Sequence, residues 1–168
     1  GYNALQDLTQ SNYNTSIGWQ SGLELLTGDY NVFLGGFTGD ESVDGNRNTS
    51  VGYAALGADA GDDNVAMGYW SLLSCTGTNN VAIGSYAGDA LTTGAYNTAV
   101  GRNTASSVTT AEDNVMIGYA AGDSATTNGA NTIIGTAADT KTDNTTDTHQ
   151  IVLGAYTESV GANFVTIG

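Results

Sequence analysis

The sequence predicts an all-β fold: a parallel β-solenoid wound from a single array of tandem repeats. Three observations carry that prediction. A five-residue motif, Asn, a β-branched residue, a variable residue, an aliphatic residue and Gly, recurs ten times in 168 residues. Within each copy the second and fourth positions alternate with the third, which is the period of a strand. The composition opposes helix, with 24 Gly and few of the Glu, Lys, Gln and Arg residues that favour it.

The closing glycines are Gly18, Gly35, Gly52, Gly68, Gly84, Gly101, Gly118, Gly135, Gly154 and Gly168, with Gly1 ending an eleventh copy. The steps between them run from 14 to 19 residues, mostly 16 or 17. A regular period fixes the architecture before any local reading does. Asn14, Asn31, Asn48, Asn64, Asn80, Asn97, Asn114 and Asn131 open eight copies, and Gln150 and Phe164 open the other two. Asn tolerates a left-handed corner, and amides piled coil over coil can bond one another, so these eight read as a structural ladder. The invariant glycine supplies φ freedom at the next corner.

The second position is Thr, Val or Ile in every copy, and the fourth is Ile, Leu, Val or Met. They share one face of a short strand, and this face is expected inside. Three residues after each glycine stands Ala, Ser or Thr, which implies a narrow space. Seven residues after it come Leu8, Leu25, Cys75, Leu91, Val108 and Ala125, the mark of a weaker second strand; Ser42 and Asp59 break that column. Each unit is too short to enclose a core and must stack on its neighbours. The expected form is a β-roll with two short strands per 14–19-residue coil, about ten coils and a rod of roughly 48 Å. Residues 1–168 read as one array, and its uncapped, in-register ends imply a segment of a longer fibrous protein.

The third position should be polar on a solitary roll. Instead it holds Phe33, Ala66, Ala82, Ala99, Met116, Ile133 and Val152 in seven of ten copies. A strand apolar on both faces is expected to be covered on both. These seven are therefore the expected interface of a homo-oligomer around a cyclic axis, whose copy number the residues do not fix.

The net charge of −14, with only Arg47, Arg102 and Lys141 positive, argues against nucleic acid and against anionic membranes. One cysteine excludes an intramolecular disulfide framework. No apolar run has membrane-spanning length, so no membrane insertion is expected from this segment.

NVAIGSYA at 80–87 and NVAMGYWS at 64–71 resemble the head repeats of YadA-like trimeric autotransporter adhesins. GYNAL, TTGAYNTAVG and NVMIGYAAG resemble repeats of phage tail-fibre-like proteins, which also have longer coils. The resemblance spans nearly the whole chain. It implies a left-handed β-roll, a homotrimer, and adhesion or host recognition at an extracellular surface, on a cell or a virion fibre.

No enzyme is expected. His149 has no second histidine or cysteine nearby and reads as a surface residue, while Cys75 falls at an inward position with no base to activate it. Gly-Asp pairs at 28–29, 39–40, 61–62, 88–89 and 122–123, with Asp63 and Asp113, lack the spacing of known calcium loops and read as turns. No cofactor or metal is expected. Aromatic residues follow the glycine at Tyr2, Trp19, Tyr53, Tyr69 and Tyr119 and precede the asparagine at Tyr13, Tyr30 and Tyr96. Such columns pack on one another or stack on sugars. Trp70 and its neighbour Tyr69 are the candidate surface contacts, for a host glycan or protein.

Thr pairs at 92–93, 109–110, 126–127 and 145–146 raise ice binding as a minor alternative. Thr at the second position is expected on the buried face, which weighs against it. The expectation is thus a non-catalytic adhesive fibre segment, with a purely structural filament shaft as its rival.

Overall fold

In a computed structural model, residues 1–125, 127, 129–140 and 148–168 are described. Ten three-residue strands follow one another: β1 (Thr15–Ile17), β2 (Val32–Leu34), β3 (Thr49–Val51), β4 (Val65–Met67), β5 (Val81–Ile83), β6 (Thr98–Val100), β7 (Val115–Ile117), β8 (Thr132–Ile134), β9 (Ile151–Leu153) and β10 (Val165–Ile167). All ten lie in one parallel sheet in sequence order, β1 beside β2 and so on to β10. The register never slips. Thr15 pairs with Val32, Val32 with Thr49 and Thr49 with Val65, so each motif position forms a column. The chain is an all-β parallel solenoid, and there is no helix among the described residues.

Among the described residues the second strand expected in each coil does not form, and only an isolated bridge between Asp139 and Glu158 pairs outside the ten strands. Leu25, Cys75, Leu91, Val108 and Ala125 are buried where it was expected, whereas Leu8 is exposed. Their backbone turns rather than extends. The second and fourth residues after each glycine take positive φ in coil after coil, as at Trp70 (58°), Leu72 (49°), Asn103 (56°) and Ala105 (55°). Interchain-like hydrogen bonds nevertheless continue from coil to coil, with Leu56 N–H donating to the Ser71 carbonyl at 2.9 Å and Leu72 N–H to that of Ala87 at 3.0 Å. A side chain at positive φ costs about 1–2 kcal/mol. Stacking offsets that cost by satisfying the backbone of each corner.

The two faces of the strand are the reverse of the expectation. The middle residue of each strand points into the chain's own core. Phe33, Ala66, Ala82, Met116, Ile133 and Val152 are completely buried and Ala99 nearly so in the single chain. These seven residues, expected at an oligomer seam, form the protomer's interior and need no partner to cover them. Positions two and four face outward instead. The period of 2 separates two faces without saying which is inside. Bulk misled because the coil is narrow. Its opposite wall already supplies Leu25, Leu56, Leu72, Leu91 and Val108 to the interior.

Core volume is traded between the strand and the corner four residues past the glycine. Where the strand offers Phe33, the adjoining corners are Gly22 and Gly39. A Cβ on Gly39 would sit 2.6 Å from the Phe33 ring, and one on Gly22 2.9 Å from it. Where the strand offers Ser50 or Ala66, the corner is Leu56 or Leu72, with nearly the same positive φ. Small residues on both walls, Ala99 and Ala105, leave a void of about 10 Å³ near Leu72, Leu91 and Met116.

A polar column borders this core. From Asn31 onward the N–H of each motif asparagine donates to the Oδ1 of the previous one, at 2.7 Å from Asn31 to Asn14 and 3.0 Å from Asn97 to Asn80. Gln150 ends the run on Asn131 Oδ1 at 3.0 Å. The Nδ2 groups donate sideways to turn carbonyls, Asn31 to Gly45 at 2.8 Å and Asn80 to Gly94 at 2.9 Å. From Asn31 to Asn114 each buried amide is thereby used on both sides. The positive φ expected at asparagine falls on the residue before it, as at Tyr30 (61°), Asp63 (62°) and Tyr96 (59°). The closing glycines have φ between 132° and 149° from Gly18 to Gly154, and a Cβ there would collide with the backbone of the next coil.

Candidate binding surfaces

With the middle residues inside, the outer face of the sheet carries twenty side chains from positions two and four. Every one is Thr, Val, Ile, Leu or Met, and none is charged. Ile83 is 39% exposed and Met67, Ile117 and Ile134 are each 38% exposed. Nine strand spacings of about 4.8 Å by three residues of about 3.3 Å give a strip of roughly 430 Å². That is the size of the largest apolar patch on a typical monomer, about 300–600 Å², and such patches are often functional.

Seven aromatic residues, Tyr2, Trp19, Phe37, Tyr53, Tyr69, Trp70 and Tyr86, line one edge of the first six coils. Tyr2 lies 5.1 Å from Trp19, Phe37 5.6 Å from Tyr53, and Tyr53 stacks on Tyr69 at 5.6 Å. The two candidate contacts are in this row. Tyr69, exposed, stacks on half-buried Trp70 at 5.1 Å and 17°. Both then meet Tyr86, at 5.5 and 5.6 Å. Rings spaced by one coil use their faces on each other, and such pairs contribute about 0.5–1.5 kcal/mol beyond burial. The column before asparagine is shorter: Tyr13 stacks on Tyr30 at 5.0 Å. Arg47 interrupts it, clamped by Asp62 at 2.8 Å and Asp63 at 2.6 Å. Its hydrogen bonds to those carboxylates hold the guanidinium pKa above its usual value and lower that of Asp63.

The aromatic row ends in a step. Beyond Tyr86 the same column continues as Asn103, and beyond Asp89 as Ser106. The step opens a surface depression of about 410 Å³ lined by Tyr86, Asp89, Arg102, Asn103 and Ser106. Burial is the chief cause that raises the Asp89 pKa, with Asp123 adding to it. Arg102 lies 6.0 Å from the Tyr119 ring centre, within cation–π range. Of these five residues the sequence singled out only Asp89, as a Gly-Asp turn, and Arg102, as one of three cations. For Tyr86, Asn103 and Ser106 the signal was a drop in side-chain size along two columns.

Other sequence features stay apart. His149 is exposed and its Nδ1 pairs with the Thr148 hydroxyl at 2.8 Å. Cys75 is buried, with its pKa pushed up to about 11 mainly by desolvation, the opposite of an activated thiol. Two of the Gly-Asp turns serve the backbone: Asp29 accepts from Asn12 N–H at 2.5 Å and Asp62 from Asn46 N–H at 2.9 Å. Among the described residues no group of three or more His, Cys, Asp or Glu could hold a metal ion. Thr92 donates its hydroxyl to the Thr109 carbonyl at 3.0 Å, while Thr126, Thr145, Thr146 and Lys141 lie outside the described residues. No helix among those residues is long and apolar enough to cross a membrane.

Fold and surface together define the class, an all-β solenoid carrying a flat apolar face and an aromatic edge. Comparison with known proteins finds no matching family model, no matching curated protein and no matching solved structure.

Proposed function

We propose that the chain is a non-catalytic segment of an extracellular fibre that attaches to a host or other surface, with copies associating through the outer face of the sheet. One observation carries the reading: the uncharged face of positions two and four, exposed on the single chain. A second copy seated there would remove Ile83, Ile117 and Ile134 from water, and a standard interface uses about 800 Å² per partner, within reach of the strip plus its aromatic border. The seam thus moves from the third position to the second and fourth. The number of copies, three by the repeat resemblance, is part of the proposal. Attachment is supported by the same resemblance and by the exposed aromatic row.

Sedimentation tests the assembly. The reading expects an oligomer at micromolar concentration that Ile83→Lys and Ile117→Lys dissociate without loss of β-structure; a wild-type monomer at every concentration overturns it. Binding to cells and arrayed glycans separates an adhesive segment from a structural shaft, which would be silent on both.

Ice binding gains one observation. Thr15, Thr49, Thr98 and Thr132 stand on the outward face rather than the buried one. Thermal hysteresis in cold solution would favour that reading over attachment.

A further inference from the structure

We propose that the depression beside Tyr86 is a subsite for a single neutral pyranose ring; the inference rests on the attachment reading and names its ligand class. A pyranose presents an apolar face of C–H groups and an equatorial belt of hydroxyls, each both donor and acceptor. Its recognition needs an aromatic wall and a few planar polar groups able to meet neighbouring hydroxyls. The depression supplies both. Tyr86 is the last ring of the row. On its other side the column holds Asn103, not another ring. Arg102, Asn103 and Asp89 bring a guanidinium, an amide and a carboxylate, the three side-chain types that bond in two places at once.

These groups are only partly used within the protein: the Asp89 carboxylate accepts from its own N–H and from that of Ala90. Asp89 Oδ1 is buried with no hydrogen-bond partner. The side chains of Arg102 and Asn103 make no hydrogen bond or ion pair to other described residues, and the Tyr119 ring beneath Arg102 orients it without occupying its donors. Ser106 donates to Asp123 at 2.6 Å, which leaves its oxygen free to accept. The depression, about 410 Å³ and open to solvent, has room for a single ring. The net charge of −14 disfavours a polyanion, and the lining holds one carboxylate and one guanidinium, so the neutral ring is the occupant selected.

The test is amide-shift mapping of the ¹⁵N-labelled chain, titrated with methyl β-glucopyranoside, methyl β-galactopyranoside, methyl α-mannopyranoside and N-acetylglucosamine. At least one is expected to shift the amides of Arg102, Asn103 and Ser106 with a dissociation constant on the order of 1 mM. Tyr86→Ala should weaken it about threefold to tenfold, while Tyr86→Phe keeps it. Ala120 and Ala137 occupy the same column with the same positive φ, so the alanine variant retains the fold. Asp89→Asn, which keeps the shape and loses an acceptor charge, should weaken it as well. Absence of shifts with all four sugars, shifts confined to Tyr13 and Tyr30, or full binding by Tyr86→Ala would overturn the proposal. Cell binding by wild type that survives Tyr86→Ala defeats this subsite but not attachment; sugar shifts without any cell binding defeat attachment but not the subsite.

Discussion

Met116 and Ile117 are adjacent in β7, and the fold gives them opposite fates. Met116 is wholly buried against Gly122 and Ile133, whereas Ile117 is 38% exposed on the outer face. Lysine at 116 would place an ammonium group in a core without a counter-charge. The effective penalty for such burial is several kcal/mol, against a total stability of about 5–15 kcal/mol for a domain. Even the milder Met116→Ala removes a full side chain and should cost about 2–5 kcal/mol. Lysine at 117 can lay its stem along the sheet and keep its charge in water, so Ile117→Lys should cost about 1 kcal/mol or less in the dilute chain. Urea unfolding followed by far-UV circular dichroism, at concentrations too low for association, compares the two. The reasoning requires the 116 variants to lose at least about 1 kcal/mol more than Ile117→Lys. Equal costs, or a larger cost at 117, would refute it.

Three further outcomes follow from the same geometry. Phe33→Ala and Gly39→Leu should each destabilise alone, by about 3–5 and 1–3 kcal/mol. The pair should recover part of both losses in a double-mutant cycle, because Leu56 and Leu72 show that this corner accepts leucine beside a small strand residue. Asn97→Ala leaves the Asn114 N–H without its acceptor at 3.2 Å and the Ala111 carbonyl without its donor at 2.8 Å, so thermal melts should show a loss of about 1–3 kcal/mol. Burial, with Glu41 and Glu24 nearby, raises the Asp40 pKa to about 6, so the folded chain holds this proton more tightly than the unfolded one. Stability should therefore rise as pH falls from about 7 through 6 toward 4, by on the order of 1 kcal/mol after allowance for screening of a half-exposed group. Melting temperature against pH checks this, and Asp40→Asn should flatten that segment of the curve.

The repeat made the architecture legible. Ten glycines at nearly constant spacing and a β-branched column could only stack in register, and the parallel sheet follows from that. Inside and outside were not legible. Alternation at period 2 is symmetrical, and the rule that bulk goes inward failed because Leu56 and Leu72 reach the interior from positive-φ corners that no strand pattern announces. Ala66 is small where Leu72 fills the far wall, not because a second chain approaches it. The second strand was misplaced for the same reason: Leu91 and Val108 are inward, but on a turning backbone. The aromatic row could be listed from the sequence, yet its end at Tyr86 and the depression beside it emerged only when Asp89, Arg102 and Ser106 were set in adjacent coils.

Thiol labelling of neighbouring positions in β5 tests the inward and outward assignment most directly. In a Cys75→Ala background and dilute protein, cysteine is placed singly at Ala82, which is fully buried, or at Ile83, which is 39% exposed. The account predicts rapid reaction at 83 and, at 82, reaction only as fast as the chain opens. Rapid labelling at 82 with protection at 83 would contradict it.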